Sequence, residues 1–325
     1  MEGIEREMIQ RIGVAYYSIR TGKLRRYFSW QNFLDPFNVM YGIVQAFGLV
    51  RRLKPHVVFS KGGFVALPVA IAAWLNRIPV IAHESDSTPG LANRLCLPFV
   101  TQLCVTFPQT HVSKTHQHKV KITGTPIRSA LLTGSDAHGR ELCGFHADLP
   151  CLLVVGGSQG SHPLNQCVRD ALSDLCQHYQ VIHVCGKGNL DAALNNHPGY
   201  CQFEYVDKTF SDLLAASRLV VSRAGANTLM ELLALAKPHV LVPLSRKRSR
   251  GDQIENAAYF ARLGASVVID EDALTPAKLL SVLDSVERDY DTIVQQIHAL
   301  GVQSATQTVI DIILKTASHT QAGDT

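Results

Sequence analysis

The chain has 325 residues, 46% of them hydrophobic and 18% charged, with a net charge of +4 at pH 7. That length exceeds what one hydrophobic core ordinarily fills, so two α/β domains fit better than one. So mild a charge gives no argument for nucleic acid, no uncharged apolar run approaches the about 18 residues of a membrane span, and the acidic opening MEGIEREMIQR is not a signal peptide.

The first notable stretch places Lys23, Arg25 and Arg26 ahead of Tyr27, Phe28, Trp30, Phe33 and Phe37. Cations beside aromatic rings suit an anionic membrane surface, with Arg25, Arg26, Trp30 and Phe33 as the patch. An ordinary buried helix entry is the other reading. Beyond it, short apolar runs predict strands at 56–60, 79–83, 103–107, 120–123, 151–156, 181–186, 219–223, 239–244 and 265–270. Helical spacing lies between most of them; Leu164, Val168, Ala171, Leu172 and Leu175 form one apolar face. Such alternation predicts parallel sheets covered by helices on both faces. The eight cysteines show no C-x-x-C pair and no zinc-like histidine spacing, and several sit in apolar runs. They read as buried thiols of a reducing compartment.

Polar clusters follow the strands, where open α/β sheets place ligand groups. Lys61-Gly62-Gly63-Phe64 follows the first predicted strand. His83, Glu84 and Asp86 in HESDSTPG follow the second and are candidates for acid–base chemistry; a charged helix N-cap is the alternative. Gly124-Thr125-Pro126-Ile127-Arg128 closes the first half, with Arg128 able to reach a phosphate across a cleft. Val155-Gly156-Gly157-Ser158-Gln159-Gly160-Ser161 joins a strand to a helix, so that N–H groups of the helix start can meet a phosphate. Its spacing is neither G-x-G-x-x-G nor that of a P-loop. In Ser222-Arg223-Ala224-Gly225-Ala226-Asn227-Thr228-Leu229-Met230-Glu231, Thr228 and Glu231 share a helix face. Glu231 could accept ribose hydroxyls, or merely complement the helix dipole.

Taken in order, KGGFVALP, HESDSTPGLANR, GTPIR, VVGGSQGSHPLN, CGKG, SRAGANTLMEL and GDQIENA closely resemble the MurG family of N-acetylglucosaminyltransferases, over about residues 50 to 275. The resemblance implies an α/β protein of two facing Rossmann-like domains (the glycosyltransferase-B type). The expected division is 1–126, the acceptor and membrane side, completed by a C-terminal helix at 304–318, and 127–303, the UDP-sugar side. It implies inverting transfer of N-acetylglucosamine from UDP-N-acetylglucosamine to the 4-hydroxyl of a lipid-linked muramyl-pentapeptide. No cofactor and no essential metal are implied, and the location is the cytoplasmic face of the cell membrane. Position by position, Ser158 matches a serine that meets the donor phosphates and Val206 an apolar contact to uracil. Thr228 and Glu231 match the ribose-side threonine and glutamate, Gln253 a glutamine on the sugar, and Arg128 the arginine of the turn. Asp86, expected on the UDP-sugar as well as among the catalytic candidates, stands where many members have asparagine. Phe64 stands where many have tyrosine.

A sugar hydroxyl is a poor nucleophile, so a base must take its proton, and without a metal helix N-termini and Arg128 must stabilise the leaving diphosphate. The family opens on a strand and a GGTGGH-type loop whose histidine is often assigned as base. Here MEGIEREMIQRIGVAYYSI resembles the family's second helix and third strand, an offset of roughly 30 residues or one βαβ unit. The expectation on that alignment is an incomplete N-terminal domain without its central strand, little transferase activity, and Asp86 as the second choice of base. Two rival readings remain at this point, a UDP-sugar 2-epimerase of the same architecture and an inactive nucleotide-binding remnant.

Overall fold

Runs such as VIAHE and CLLVV are apolar at consecutive positions, so both faces of their strands need cover, which a parallel sheet between helices supplies. The computed structural model, which describes residues 6, 9–10, 12–21, 35–146, 148–157 and 159–322, contains two such sheets. The first is built by α1 (Asp35–Leu53), β1 (Val58–Ser60), α2 (Ala66–Leu75), β2 (Val80–Glu84), α3 (Leu91–Cys96), β3 (Gln102–Val105) and β4 (Val120–Ile122). Its strands lie in the order β1-β2-β3-β4, all parallel.

After α4 (Asp136–Cys143) the chain makes β5 (Cys151–Val155), α5 (His162–Asp170), α6 (Leu172–His178), β6 (Gln180–Val184) and β7 (Tyr200–Phe203). It continues with α7 (Phe210–Ala216), β8 (Ser217–Ser222), α8 (Ala226–Ala234), β9 (His239–Leu241), α9 (Asp252–Arg262), β10 (Val267–Val268), α10 (Pro276–Arg288) and α11 (Tyr290–Ala299). This second sheet has the order β10-β9-β8-β5-β6-β7, again all parallel. The predicted apolar face of Leu164, Val168, Ala171, Leu172 and Leu175 is buried in its core, although the helix breaks at Ala171 into α5 and α6.

α12 (Thr306–Ala322) returns to the first sheet. Ile312 packs with Ile81 of β2 and Cys104 of β3. Ser304 Oγ donates to the Ile127 carbonyl (3.1 Å) and Ala305 N to that of Thr125 (3.1 Å), pinning the crossing to the GTPIR turn.

All nine predicted strands form, most of them shorter than their apolar runs. β7 was not among them. It is an edge strand with three of four residues half-buried, so Gln202 and the following Glu204 interrupt its apolar signal. The expected third strand near the start does not form: residues 14–21 have no regular structure and lie along α1, where Arg20 N donates to Gln45 Oε1 at 2.8 Å. A strand needs a hydrogen-bonded neighbour, and none of the described strands runs beside this segment. Arg25, Arg26, Trp30, Phe33 and Ser158 lie outside the described residues. All eight cysteines are free thiols, but Cys143, Cys176 and Cys201 are only half-buried, because each lies at a helix end or on the edge strand.

Candidate active site

In the second sheet the chain runs outward from β5 through β6 to β7, then returns to start β8 on the other side of β5. The crevice at such a reversal is where doubly wound sheets bind ligands. The turns that open onto it are those the sequence singled out, GGSQGS after β5 and RAGAN after β8.

Close backbone packing explains the glycines. At Gly160 (φ +77°) a Cβ would collide with the carbonyl of Cys185, and at Gly186 (φ +90°) with the backbone of Gly160. The CGKG turn after β6 thus backs directly onto the turn after β5. Ser161 caps α5 by accepting from Leu164 N. The same Oγ accepts from Arg223, whose guanidinium also donates to the Val242 carbonyl (2.9 Å) and to Glu271 Oε1 (2.5 Å). Glu271 Oε2 accepts from Ser245 N at 3.1 Å. Burial pushes the Glu271 carboxyl up, but the hydrogen bonds from Arg223 and Ser245 and the Arg223 charge hold it below the usual carboxylate range. This buried pair ties together the turns after β5, β8, β9 and β10 and was not foreseen from the sequence. Its only trace there is an arginine between the buried end of a strand, Leu219–Ser222, and a glycine turn, where a charge needs a partner.

Around this frame stand the predicted donor-side residues. Thr228 and Glu231 are half-buried on α8. Glu231 Oε1 lies 3.4 Å from the exposed guanidinium of Arg128. Burial raises the Glu231 carboxyl, and Arg128 opposes that shift. Val206, just after β7, packs half-buried against the second sheet. Gln253, in the first turn of α9, accepts Leu244 N through Oε1 at 3.1 Å, which commits its carbonyl and leaves its NH2 to donate.

The acceptor-side cluster separates into different roles. His83 is fully buried; its Nδ1 lies 3.1 Å from Lys61 Nζ and its Nε2 2.8 Å from the Gly124 carbonyl. An ammonium only donates and a carbonyl only accepts, so Nδ1 accepts and Nε2 carries the hydrogen. Burial and the Lys61 charge push the imidazole down to about 4, leaving it neutral with both nitrogens engaged. Glu84 is also spent on structure. Its Oε1 accepts Asp86 N (3.0 Å), and its Oε2 accepts Gly90 N (2.9 Å) and Asn93 Nδ2 (2.8 Å), shaping the turn into α3. Asp86 differs: Oδ1 accepts from Asn256 Nδ2 at 2.9 Å, and the residue lines a cavity of about 620 Å³ with Lys61, Gly62, Gly63, Phe64 and Arg250. Burial raises its carboxyl, with Glu84 and Asp252 adding to the rise and Asn256 and Arg250 opposing it. Asp86 is therefore the member of the predicted acid–base trio with a carboxylate oxygen free of bonds among the described residues. No group of three or more metal-ligating side chains occurs among those residues.

Two parallel sheets with glycine-rich turns at their strand ends, and a cavity lined by residues of both halves, are the architecture of a nucleotide-sugar enzyme of two Rossmann-like domains. The chain belongs to glycosyltransferase family 28: residues 1–105 match the family's N-terminal domain and residues 151–311 its C-terminal domain. It is 54% identical over 99% of its length to a UDP-N-acetylglucosamine--N-acetylmuramyl-(pentapeptide) pyrophosphoryl-undecaprenol N-acetylglucosamine transferase of Legionella pneumophila (strain Lens), of which it covers 88%. The protein of the same description from Clostridium kluyveri is 52% identical, over 96% of this chain and 88% of the relative. Among solved structures, that of Acinetobacter baumannii MurG superposes with a TM-score of 0.75 at 26% identity, covering 96% of this chain and 88% of that one. A UDP-GlcNAc 2-epimerase from Neisseria meningitidis shares the fold, with a TM-score of 0.61 at 12% identity over 90% of this chain and 84% of that one.

Proposed function

We propose that this glycosyltransferase moves N-acetylglucosamine from UDP-N-acetylglucosamine to the 4-hydroxyl of a lipid-linked muramyl-pentapeptide. The observation that carries this reading is the likeness, above half identity and almost end to end, to proteins described by that reaction. The site supplies the parts. The uridine end of the donor lies along Val206, Thr228 and Glu231, its diphosphate faces the turn after β5 with Ser158, and Gln253 donates to the sugar. Arg128 swings from Glu231 to the departing phosphate, and Asp86 faces the acceptor hydroxyl. Incubation with UDP-N-acetylglucosamine, with and without the lipid acceptor, tests the class: UDP release that depends on added acceptor supports a transferase, and a manno-configured product without acceptor supports the epimerase.

The ribose assignment has its own test. Glu231→Ala is expected to weaken UDP binding by about 1–3 kcal/mol, through loss of hydrogen bonds to a charged acceptor. Unchanged affinity in calorimetry would remove Glu231 from the ribose.

Membrane attachment belongs to the same proposal, through the cations and aromatics at 23–33, which lie outside the described residues, together with the outer face of the helix that follows them. α1 turns Ala46 and Val50 inward and leaves Phe37 (75% exposed), Met40 and Val44 outward, spaced as one helix face. Trp74 (54% exposed) and Leu75 are likewise exposed on α2, which packs against α1. Arg51, Arg52 and Arg77 are exposed at the ends of the two helices. An apolar patch flanked by cations suits an anionic bilayer surface, and no described helix is long and apolar enough to cross one. Replacing Met40, Val44 and Trp74 together by Ser should abolish sedimentation with anionic vesicles and leave UDP affinity intact. Equal sedimentation would assign the patch to another contact.

A further inference from the structure

The two halves of the molecule meet at a side-chain clasp that the sequence motifs do not explain. Asn256, on α9, is fully buried. Its Oδ1 accepts from Ser87 N at 3.0 Å and its Nδ2 donates to Asp86 Oδ1 at 2.9 Å. Only this orientation of the amide works, because the flipped one would set NH2 against N–H and oxygen against carboxylate. One residue earlier, Glu255 accepts from Thr88 Oγ1. Phe107, just after β3, packs edge-on against Tyr259 of the same helix at 5.6 Å. The helix that carries Gln253 on its first turn therefore grips the loop that carries Asp86.

We propose that Asn256 is a positioning residue that orients Asp86 across the domain cleft and keeps it ionised, so that the carboxylate is ready only when the two domains are closed on each other. The proposal rests on the reading of Asp86 as a working group of the transferase site. Asp86 sits among Lys61 just after β1, Glu84 at the end of β2, Arg94 on α3, and Arg250, Asp252 and Glu255 from the second domain. Charges of both signs surround it, so no single ion pair fixes its state. The Asn256 amide is the one neutral donor to the carboxylate among the described residues, and it stabilises the charged form. Removing it raises a carboxyl that burial has already raised. The protonated fraction then grows, and activity is lost at a higher pH than in the parent.

The test follows the Asp86 carboxyl by carbon-13 NMR titration in the full chain, with Asp86→Asn assigning the signal. In Asn256→Ala, and in the volume-conserving Asn256→Leu that guards against collapse of the site, the Asp86 titration is expected to move to higher pH. The acidic limb of kcat should move with it, kcat should fall about 10- to 100-fold, and UDP affinity should hold. In the Asp86→Asn background the same Asn256 changes should cost little further. A residue that only holds the domains together would lower the melting temperature and give additive losses, with the Asp86 titration unmoved; that result overturns the proposal. The titration is read without turnover, so an absence of sugar transfer in the parent would count against the proposed reaction and not against the positioning role.

Discussion

Asp86→Ala is expected to lower sugar transfer by about 10²- to 10⁴-fold, the range for loss of a positioned acid–base group, with UDP affinity near the parent value and a stability loss confined to the one hydrogen bond from Asn256, about 1–3 kcal/mol. The neighbouring residues make this specific. His83 donates to Gly124 and accepts from Lys61, and Glu84 holds two N–H groups of the following loop and the Asn93 amide of α3. Replacing either should loosen the turn and reduce stability together with activity. Of the three, Asp86 should lose the most activity for the least stability, since it accepts one such hydrogen bond, from Asn256. The pH dependence has a definite sign. Burial raises the Asp86 carboxyl, so its working, ionised form is lost as pH falls through a value above the ordinary carboxylate range. Parent activity should therefore decline on its acidic side earlier than an exposed aspartate would allow. Rates and thermal melts of the three alanine variants decide the matter: equal loss of stability in all three would mean that Asp86 too is structural.

Glu271→Ala is expected to destabilise the protein by about 3–5 kcal/mol, the cost of leaving one member of a buried ion pair without its partner. Total stabilities are about 5–15 kcal/mol, so the loss would be evident in urea unfolding at room temperature. The side chains of Arg223 and Glu271 are 9% and 5% exposed, and water cannot readily replace the missing carboxylate. The damage should extend to the donor site, because Arg223 also holds Ser161 at the start of α5 and the Val242 carbonyl after β9. Replacing both residues by apolar side chains of similar volume should restore much of the stability and little of the UDP affinity. A Glu271→Ala protein with an unchanged unfolding midpoint would show that the guanidinium finds another partner.

The class of fold was plain in the sequence because buried parallel strands are continuous apolar runs and the helices between them keep their period. β7 escaped because an edge strand with polar residues on its open face does not look apolar. The site was legible where chemistry leaves a local mark: Gly160 and Gly186 stand where a side chain would strike backbone, and Thr228 and Glu231 fall on one helical face. Roles within HESDST were not legible, since adjacent polar residues look alike until their partners are known. Gly124, Asn93 and Asn256, which lie 41, 9 and 170 positions away from their partners, distinguish His83, Glu84 and Asp86 from one another. The Arg223–Glu271 pair was hidden for the same reason, with its members 48 positions apart. The outward face of α1 went unread because its spacing matches that of a core helix, and only the packing shows which side is covered.

The most direct test of the proposed reaction is the structure of its product. UDP-N-acetylglucosamine labelled in the sugar would be incubated with the full chain and a soluble analogue of the lipid-linked muramyl-pentapeptide, and the product's linkage and anomeric configuration read by NMR. The account predicts labelled N-acetylglucosamine joined to the 4-hydroxyl of the muramyl ring in the β configuration, inverted from the α-linked donor, together with released UDP. Label found only in free sugar or in a manno-configured nucleotide sugar, or joined at another hydroxyl or with retained configuration, would contradict it.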